Sequence, residues 1–418
     1  MKAEIFKNHP HWPLVEQIHR ALSHAGFQAV LAGGCVRDAL LGVVAKDLDV
    51  ATDAPPEVIE TLFDKVIPVG KSFGVCRVVK DGAQIEVATF RTDGSYKDGR
   101  RPESVTFSTA EEDAQRRDFT VNGLFRDPVE NRIIDYVGAQ ADLEKRVLRA
   151  IGNPDRRFAE DRLRLLRAVR FATVLGFEIE AETWKSVCVH SEAISSVSAE
   201  RIRDELIKIF LHPNRLRGFD LLVKSGLMQQ VLPEILVLQG VEQPPQWHPE
   251  GDVFIHTRLM LSLLPEQVSQ PLVLSVLLHD IAKPATFTVD EDTGRIRFNG
   301  HDKLGAEMTG DILRRLKFPN DVIEPTQVAV ASSGVYPTNQ ALRKSEVVPV
   351  LPASGRPMSA PVPVPMVTTS CRMRSTVVTM AGFTTWTPGL GPFSRTLPVL
   401  SVTADTTTEA VAKCTSAG

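Results

Sequence analysis

The chain has 418 residues, with 48 Lys and Arg against 51 Asp and Glu, a net charge of −3 and 43% apolar residues. These proportions suit a globular protein with room for roughly two to four domains, and they exclude a wholly disordered or collagenous chain. No apolar run is long enough to cross a bilayer. The opening MKAEIFKNHPHWPLVEQIHR lacks the apolar centre of a signal peptide, and Cys35, Cys76, Cys188, Cys371 and Cys414 form no CxxC pair, so a reducing, cytoplasmic setting is expected.

In chain order, FQAVLAGG reads as a strand ending in glycines, VRDALLG as the start of a helix and KDLDVAT as a second strand. VCRVVKDGAQIEVATFR reads as a hairpin turning at Asp81-Gly82, and RIIDYVG brings this mixed unit towards its end near residue 141. From 142 to 225, DRLRLLRAVRFATVLG and AERIRDELIKIFLH place apolar residues at helical spacing. A second helical unit, 226–324, holds WHPEGDVFIHT, LSVLLHDIAKP and NGHDKLGAEM. From 325 to 418 the chain is rich in Pro, Ser, Thr and Val and no helical period survives, so a low-complexity tail is expected, either disordered or the product of a frameshift.

The chemistry concentrates in LAGGCVRDALLGVVAKDLDVATDAPP. On a strand, residues two apart share a face, so Asp47 and Asp49 are expected side by side. Two carboxylates that close repel unless cations neutralise them, and hard oxygen ligands suit Mg2+. A pair of such ions roughly 4 Å apart can activate a hydroxyl and stabilise a departing pyrophosphate. Gly33 and Gly34 leave bare backbone for phosphate to approach, and Arg37 adds a fixed charge. A lone DxD is weak evidence, since surface turns carry such acids by accident. The arginine-dense EKRVLRAIGNPDRRFAEDRLRLLRAVR would by itself be a solvated helix face; beside these glycines and acids it reads as phosphate contact.

GGCVRDALLG with KDLDVAT, then ATFRTDGSYKDGRRP, RRDFTVNGLFRD and FAEDRLRLLRAVRFA, resembles the successive motifs of the class II tRNA nucleotidyltransferases and poly(A) polymerases, over roughly Ala29 to Glu324. The resemblance implies an α+β protein: a nucleotidyltransferase α/β head (1–141), an all-helical neck that selects nucleotide and binds RNA (142–225), an HD-type helical domain (226–324) and an irregular C-terminal tail. It implies addition of CCA to tRNA from CTP and ATP, with Mg2+ on Asp47 and Asp49. It assigns the triphosphate to Gly34 and Arg37 beside Gly33, and the nucleotide to Arg117, Asp161, Arg164, Arg167 and Arg170. SYKDGRRP resembles the flexible segment that helps the family switch between C and A addition.

The proposed selector can be checked against hydrogen-bond chemistry. Asp161 and Arg164, three apart on a predicted helix, would share a face. A carboxylate only accepts and a guanidinium only donates, a pattern that suits the amino group and ring nitrogen of cytosine or adenine and mismatches uracil and guanine. The bland alternative is an intrahelical ion pair.

WHPEGDVFIHT, LLHDIAKP and NGHDKLG resemble an HD domain, which makes His256, His279, Asp280 and His301 candidate ligands of a second divalent transition metal able to activate water for phosphoester hydrolysis. HD pairs also serve as buried hydrogen-bonding groups, so an inactive unit stays open. In the tail, MRSTVVTMAGFTTWTP permits a shifted reading similar to a C-terminal segment of the family. Three rivals to CCA addition remain open: a poly(A) polymerase or A-adding enzyme, an HD-type phosphohydrolase with a vestigial head, and an inactive RNA-binding remnant. The sequence does not fix the oligomeric state.

Overall fold

The computed structural model describes residues 6–70, 73–94 and 104–332, all within the first of two units, Met1–Val350. The charged segment SYKDGRRP and the tail beyond 332 lie outside the described residues. The head is a mixed sheet. Its strands are β1 (Ala29–Ala32), β2 (Asp49–Thr52), β3 (Val66–Gly70), β4 (Val75–Lys80), β5 (Ala83–Thr89), β6 (Arg91–Asp93), β7 (Val105–Phe107), β8 (Leu124–Arg126) and β9 (Ile133–Asp135). Seven of them pair in the order β3-β4-β5-β2-β1-β8-β9, while β6 and β7 form a separate antiparallel arm.

Strand β1 is central and reads AVLA because both of its faces are covered. Ala29 and Leu31 join the cluster holding Val15, Ile18 and Leu22, the apolar stripe of the Trp12–His24 helix. Val30 and Ala32 point the other way, into a smaller cluster with Phe90, Ala114 and Phe125. The expected hairpin is present: Asp81 and Gly82 both take positive φ (48° and 80°), the two-residue geometry whose twist matches the flanking β4 and β5. Strand β2 runs antiparallel to β1 but parallel to β5, and that pairing sets Asp49 beside Glu86.

The expected helix around Asp161 is broken in two. One helix spans Pro154–Glu160 and the next Arg164–Leu175, with Asp161 extended between them (φ −142°, ψ 104°). The aspartate itself explains the break: its Oδ1 accepts the Leu163 N–H at 3.1 Å, the local side-chain bond that competes with helix. Asp161 and Arg164 therefore do not share a helix face.

Further helices follow at Ala181–Val189, Ala199–Phe210 and Arg215–Lys224. Gly218 lets the last of these lie close on its neighbours, since a Cβ there would sit 2.3 Å from Ile209 Cγ2 and 2.9 Å from Thr173 Oγ1. Arg215 is buried and donates to the carbonyls of Phe210, Leu264, Pro265 and Glu266 at 2.9–3.1 Å, tying the neck to the loop after the Val253–Ser262 helix. The next helical unit adds Gln270–Leu278, His301–Arg315 and Asn320–Ala331. This last helix runs past Glu324 despite Pro325 and buries Ile323, Thr326 and Val330, so helical order does not stop at the compositional change expected there. Pro325 removes one backbone donor, but the apolar side chains on either side of it still find the core.

Replacing Gly218 with valine should therefore overpack three helices and cost about 1–3 kcal/mol, read as a lower urea midpoint. A midpoint equal to that of the wild type would show that the contact is not tight.

Candidate active site

Ala32 ends β1 and Gly33 turns the chain. Its φ of 71° with ψ −125° is a conformation that a side chain resists, and a Cβ there would lie 2.7 Å from Arg117 Nη1. The glycine thus admits both the turn and the arginine. Gly33 N–H donates to Leu124 O at 2.8 Å, which fixes the turn against β8.

These two glycines open onto a cavity of about 540 Å³ between the head sheet and the Arg164–Leu175 helix. Of the residues expected at the site, Gly33, Gly34, Arg37, Asp49, Arg117, Asp161, Arg164 and Arg167 line it. Asp47 and Arg170 are not among its lining residues. Strand β2 starts only at Asp49, so Asp47 lies exposed in the bend before it, separated from Asp49 by the buried Leu48. Arg170 turns to Glu205, with Nε 2.5 Å from Oε2, and stacks on Phe171.

Every arginine of the cavity already has an acid. Arg37 pairs with Asp38 (2.7 Å), Arg116 and Arg117 with Asp113 (2.6 and 2.9 Å), Arg164 with Glu160 (2.8 Å) and Arg167 with Asp118 (2.6 Å). Asp161 is held by Arg201 at 2.8 Å. Arg37 also donates to Asn122 Oδ1 (2.5 Å), and the Asn122 amide donates to Asp118 (2.9 Å), so one chain of bonds runs from Arg37 to Arg167. Burial opposes ionisation of Asp118, but the Arg167 guanidinium and the Asn122 amide outweigh it and hold the carboxyl far below the usual carboxylate range.

Asp49 behaves in the opposite way. Although part of it is open to solvent, loss of water contact, then the neighbouring carboxylates of Glu86 and Asp47, pushes its pKa up to about 6. Arg77, 2.7 Å from Glu86, and Arg117 near Asp49 offset this only in part, and the carboxylates fit a divalent cation bound through oxygen. Glu86 escaped the sequence reading. It sits in the β5 half of the hairpin, and only the parallel pairing with β2 brings it to Asp49. Asp118, Asn122, Phe171 and Arg201 were likewise missed as site residues, although the first two lie within the motif RRDFTVN.

The second candidate cluster does assemble. His279 Nε2, His256 Nε2 and His301 Nε2 lie 3.1, 3.8 and 3.9 Å from the buried carboxylate of Asp280. The Nδ1 atoms of His279 and His301 meet the carbonyls of Val276 (2.9 Å) and Phe298 (2.7 Å). A carbonyl only accepts, so both rings carry a proton on Nδ1 and turn Nε2 towards Asp280. His279 Nε2 is buried and makes no hydrogen bond. Lys283 Nζ, 2.8 Å from Asp280, supplies one positive charge. Burial lowers the His256 pKa, which favours the neutral ring a metal needs. Imidazole nitrogens converging on a carboxylate fit a transition metal.

Comparison with known proteins follows this geometry. Residues 29–149 match the poly(A) polymerase head domain, and residues 176–238 match a model described as a probable RNA and SrmB-binding site of polymerase A. Over these two stretches the chain is similar to the poly(A) polymerases and the CCA-adding enzymes. It is 44% identical over 231 residues to a CCA-adding enzyme of Geobacillus thermodenitrificans, covering 55% of each chain. It is 36% identical over 269 residues to one of Limosilactobacillus reuteri, covering 62% of this chain and 64% of that one. The chain spans about half the length of the curated relatives it matches. Among solved structures, a Bacillus stearothermophilus CCA-adding enzyme in complex with CTP superposes with a TM-score of 0.62 at 27% identity, covering 81% of this chain and 79% of that one. A Thermotoga maritima CCA-adding enzyme complexed with tRNA shares the fold (TM-score 0.51, 18% identity, 85% and 90% covered). Among the described residues no helix is long and apolar enough to cross a membrane.

The raised pKa of Asp49 has a sign that can be tested. A carboxyl raised in the fold stabilises the protein below its unfolded value, and that contribution is lost as pH rises through about 6. Above that point the uncompensated charge is relieved by a bound cation. Mg2+ should therefore raise the melting temperature more at a pH of about 7.5 than at about 5, and Asp49→Asn should remove the difference. Equal shifts at both pH values in the wild type would exclude Asp49 as a ligand.

Proposed function

We propose that the chain is a template-independent nucleotidyltransferase, working in the cytoplasm, that completes CCA at the 3′ end of tRNA from CTP and ATP. The observation that carries this reading is the meeting, in one cavity, of the Gly33-Gly34 turn, the acids around Asp49 and the Asp161–Arg164 pair. The likeness to a 27%-identical CCA-adding enzyme in complex with CTP supports a nucleotide substrate. Head, neck and HD-type unit would divide near residues 141 and 225.

In this reading the glycine turn leaves room for the triphosphate beside Arg37 and Arg117. The primer 3′ oxygen forms a bond to the α-phosphorus, the α–β bridging P–O bond breaks, the hydroxyl proton leaves and pyrophosphate departs. Mg2+ held by Asp49 and Asp47, with Glu86 beside them, would lower the pKa of the attacking hydroxyl and neutralise the leaving group. Asp161 would accept from the amino group of cytosine or adenine while Arg164 donates to the adjacent ring nitrogen. Arg201 and Glu160 already hold that pair in place. Phe171 supplies an apolar floor under Arg37 and Arg167. Basic side chains of the neck would meet the RNA backbone.

Incubation of the full chain with tRNA lacking CCA, Mg2+ and each nucleotide in turn tests the proposal. C and then A should be added, and Asp49→Ala should abolish addition. Asp161→Ala should cut the preference for CTP over UTP by about tenfold or more. Addition of A alone to varied RNAs would indicate a poly(A) polymerase, and unchanged preference would remove Asp161 from selection.

The convergence of His256, His279, Asp280 and His301 favours a second activity, phosphoester hydrolysis supported by a transition metal on those four residues. Loss of hydrolysis of a 2′,3′-cyclic phosphate in His279→Ala, with no hydrolysis lost in Asp49→Ala, would separate it from the head.

A further inference from the structure

The three inward-facing histidines are not oriented alike. His279 and His301 are fixed by backbone carbonyls, whereas Nδ1 of the buried His256 meets a carboxylate: Glu250 Oε1 at 2.6 Å. The same oxygen lies 3.1 Å from His248 Nδ1, and the rings of His248 and His256 stand edge-on with centroids 4.7 Å apart. An ionised carboxylate only accepts, so His256 carries its proton on Nδ1 and turns the Nε2 lone pair towards Asp280.

The segment bearing Glu250 is tied to the helix bearing His256. Asp252 Oδ1 accepts Ile255 N–H at 2.8 Å, capping the Val253–Ser262 helix, and its Oδ2 accepts Gly240 N–H at 2.7 Å. Gly251, at φ 130°, makes the bend that sets Glu250 back over the first turn of that helix; a Cβ there would lie 3.0 Å from Ile255 Cδ1. The backbone conformation, the cap and the imidazole contact all agree on one position for the carboxylate.

We propose that Glu250 is the positioning residue of the histidine cluster: it fixes His256 with Nε2 facing Asp280 and strengthens that nitrogen as a donor to a divalent cation, while His248 steadies Glu250 from the more exposed side. The assignment rests on reading His256, His279, Asp280 and His301 as a metal site. Carboxylates that take the far N–H of a ligating imidazole act in this way, and their loss costs metal affinity by roughly 10- to 100-fold. Glu250 meets the Nδ1 side of His256, while Nε2 of that ring is the atom towards Asp280. It acts through His256.

The test is Co2+ titration of the full-length protein in excess Mg2+, which occupies the head, followed by visible absorption and calorimetry, with Glu250→Gln, His248→Gln and His279→Ala alongside the wild type. The wild type should bind one Co2+ that His279→Ala loses. Glu250→Gln should bind it about 10- to 100-fold more weakly with an altered ligand-field spectrum, and His248→Gln should show a smaller loss. Imidazole 15N shifts of the metal-free protein should report a proton on Nδ1 of His256 in the wild type and a mixture of tautomers in Glu250→Gln. Thermal melting of each variant separates this from unfolding. Wild-type affinity, spectrum and tautomer in a folded Glu250→Gln would overturn the assignment alone. So would a second Co2+ lost only in Glu250→Gln, since Glu250 would then be a ligand itself. No Co2+ binding by the wild type, or binding that His279→Ala retains, would overturn the metal reading together with the assignment.

Discussion

Two strands running in the same direction, β2 and β5, set Asp49 next to Glu86, and like charges side by side require a cation. Much of the head answers that constraint. The glycine turn after β1 keeps its backbone open to the cavity, and Arg117 can come close only because Gly33 has no side chain. Arg77 pairs with Glu86 and Arg117 partly offsets the charge of Asp49, yet burial and the neighbouring acids still leave the Asp49 carboxyl raised, which favours a cation there. On the proposed function, a nucleoside triphosphate with its metal would bring that charge and use the arginines at the same time.

The neck supplies the other half of the site without being a separate body. The bonds from Arg37 through Asn122 and Asp118 to Arg167 cross from the head to the Arg164–Leu175 helix, and Arg201 reaches back to Asp161 from the Ala199–Phe210 helix. Gly218 and Arg215 hold those helices close, one by the absence of a side chain and the other by satisfying carbonyls at a helix end and in the following loop. The proposed base selector is thus mounted on close packing, unlike the proposed phosphate end, which sits on a sheet and a turn.

Much of this was legible in the sequence, for identifiable reasons. The strand–glycine–helix run, the Asp81-Gly82 hairpin and the helical neck follow from local rules of turn chemistry and periodicity. The histidine cluster was legible through its motif, and the structure brings all four residues together. What stayed hidden depends on pairing across the chain. Glu86 joins Asp49 only through strand register, and Arg201 meets Asp161 across a helix–helix contact. The expectation of one helix through Asp161 failed because a single side-chain hydrogen bond to Leu163 outweighed the helical pattern around it. The Asn320–Ala331 helix shows the reverse, with burial of Ile323 and Val330 carrying helix through a segment whose composition suggested its end.

The pairing of every cavity arginine with an acid, Arg116 and Arg117 sharing Asp113, changes what binding means there. A polyanion entering a bare cationic groove would displace a cloud of mobile ions, whereas here it must win guanidinium groups from carboxylates already in contact with them. Recognition becomes an exchange of partners within a nearly electroneutral lattice. Such a pocket favours a molecule whose shape lets it replace several of those bonds at once over a single phosphate.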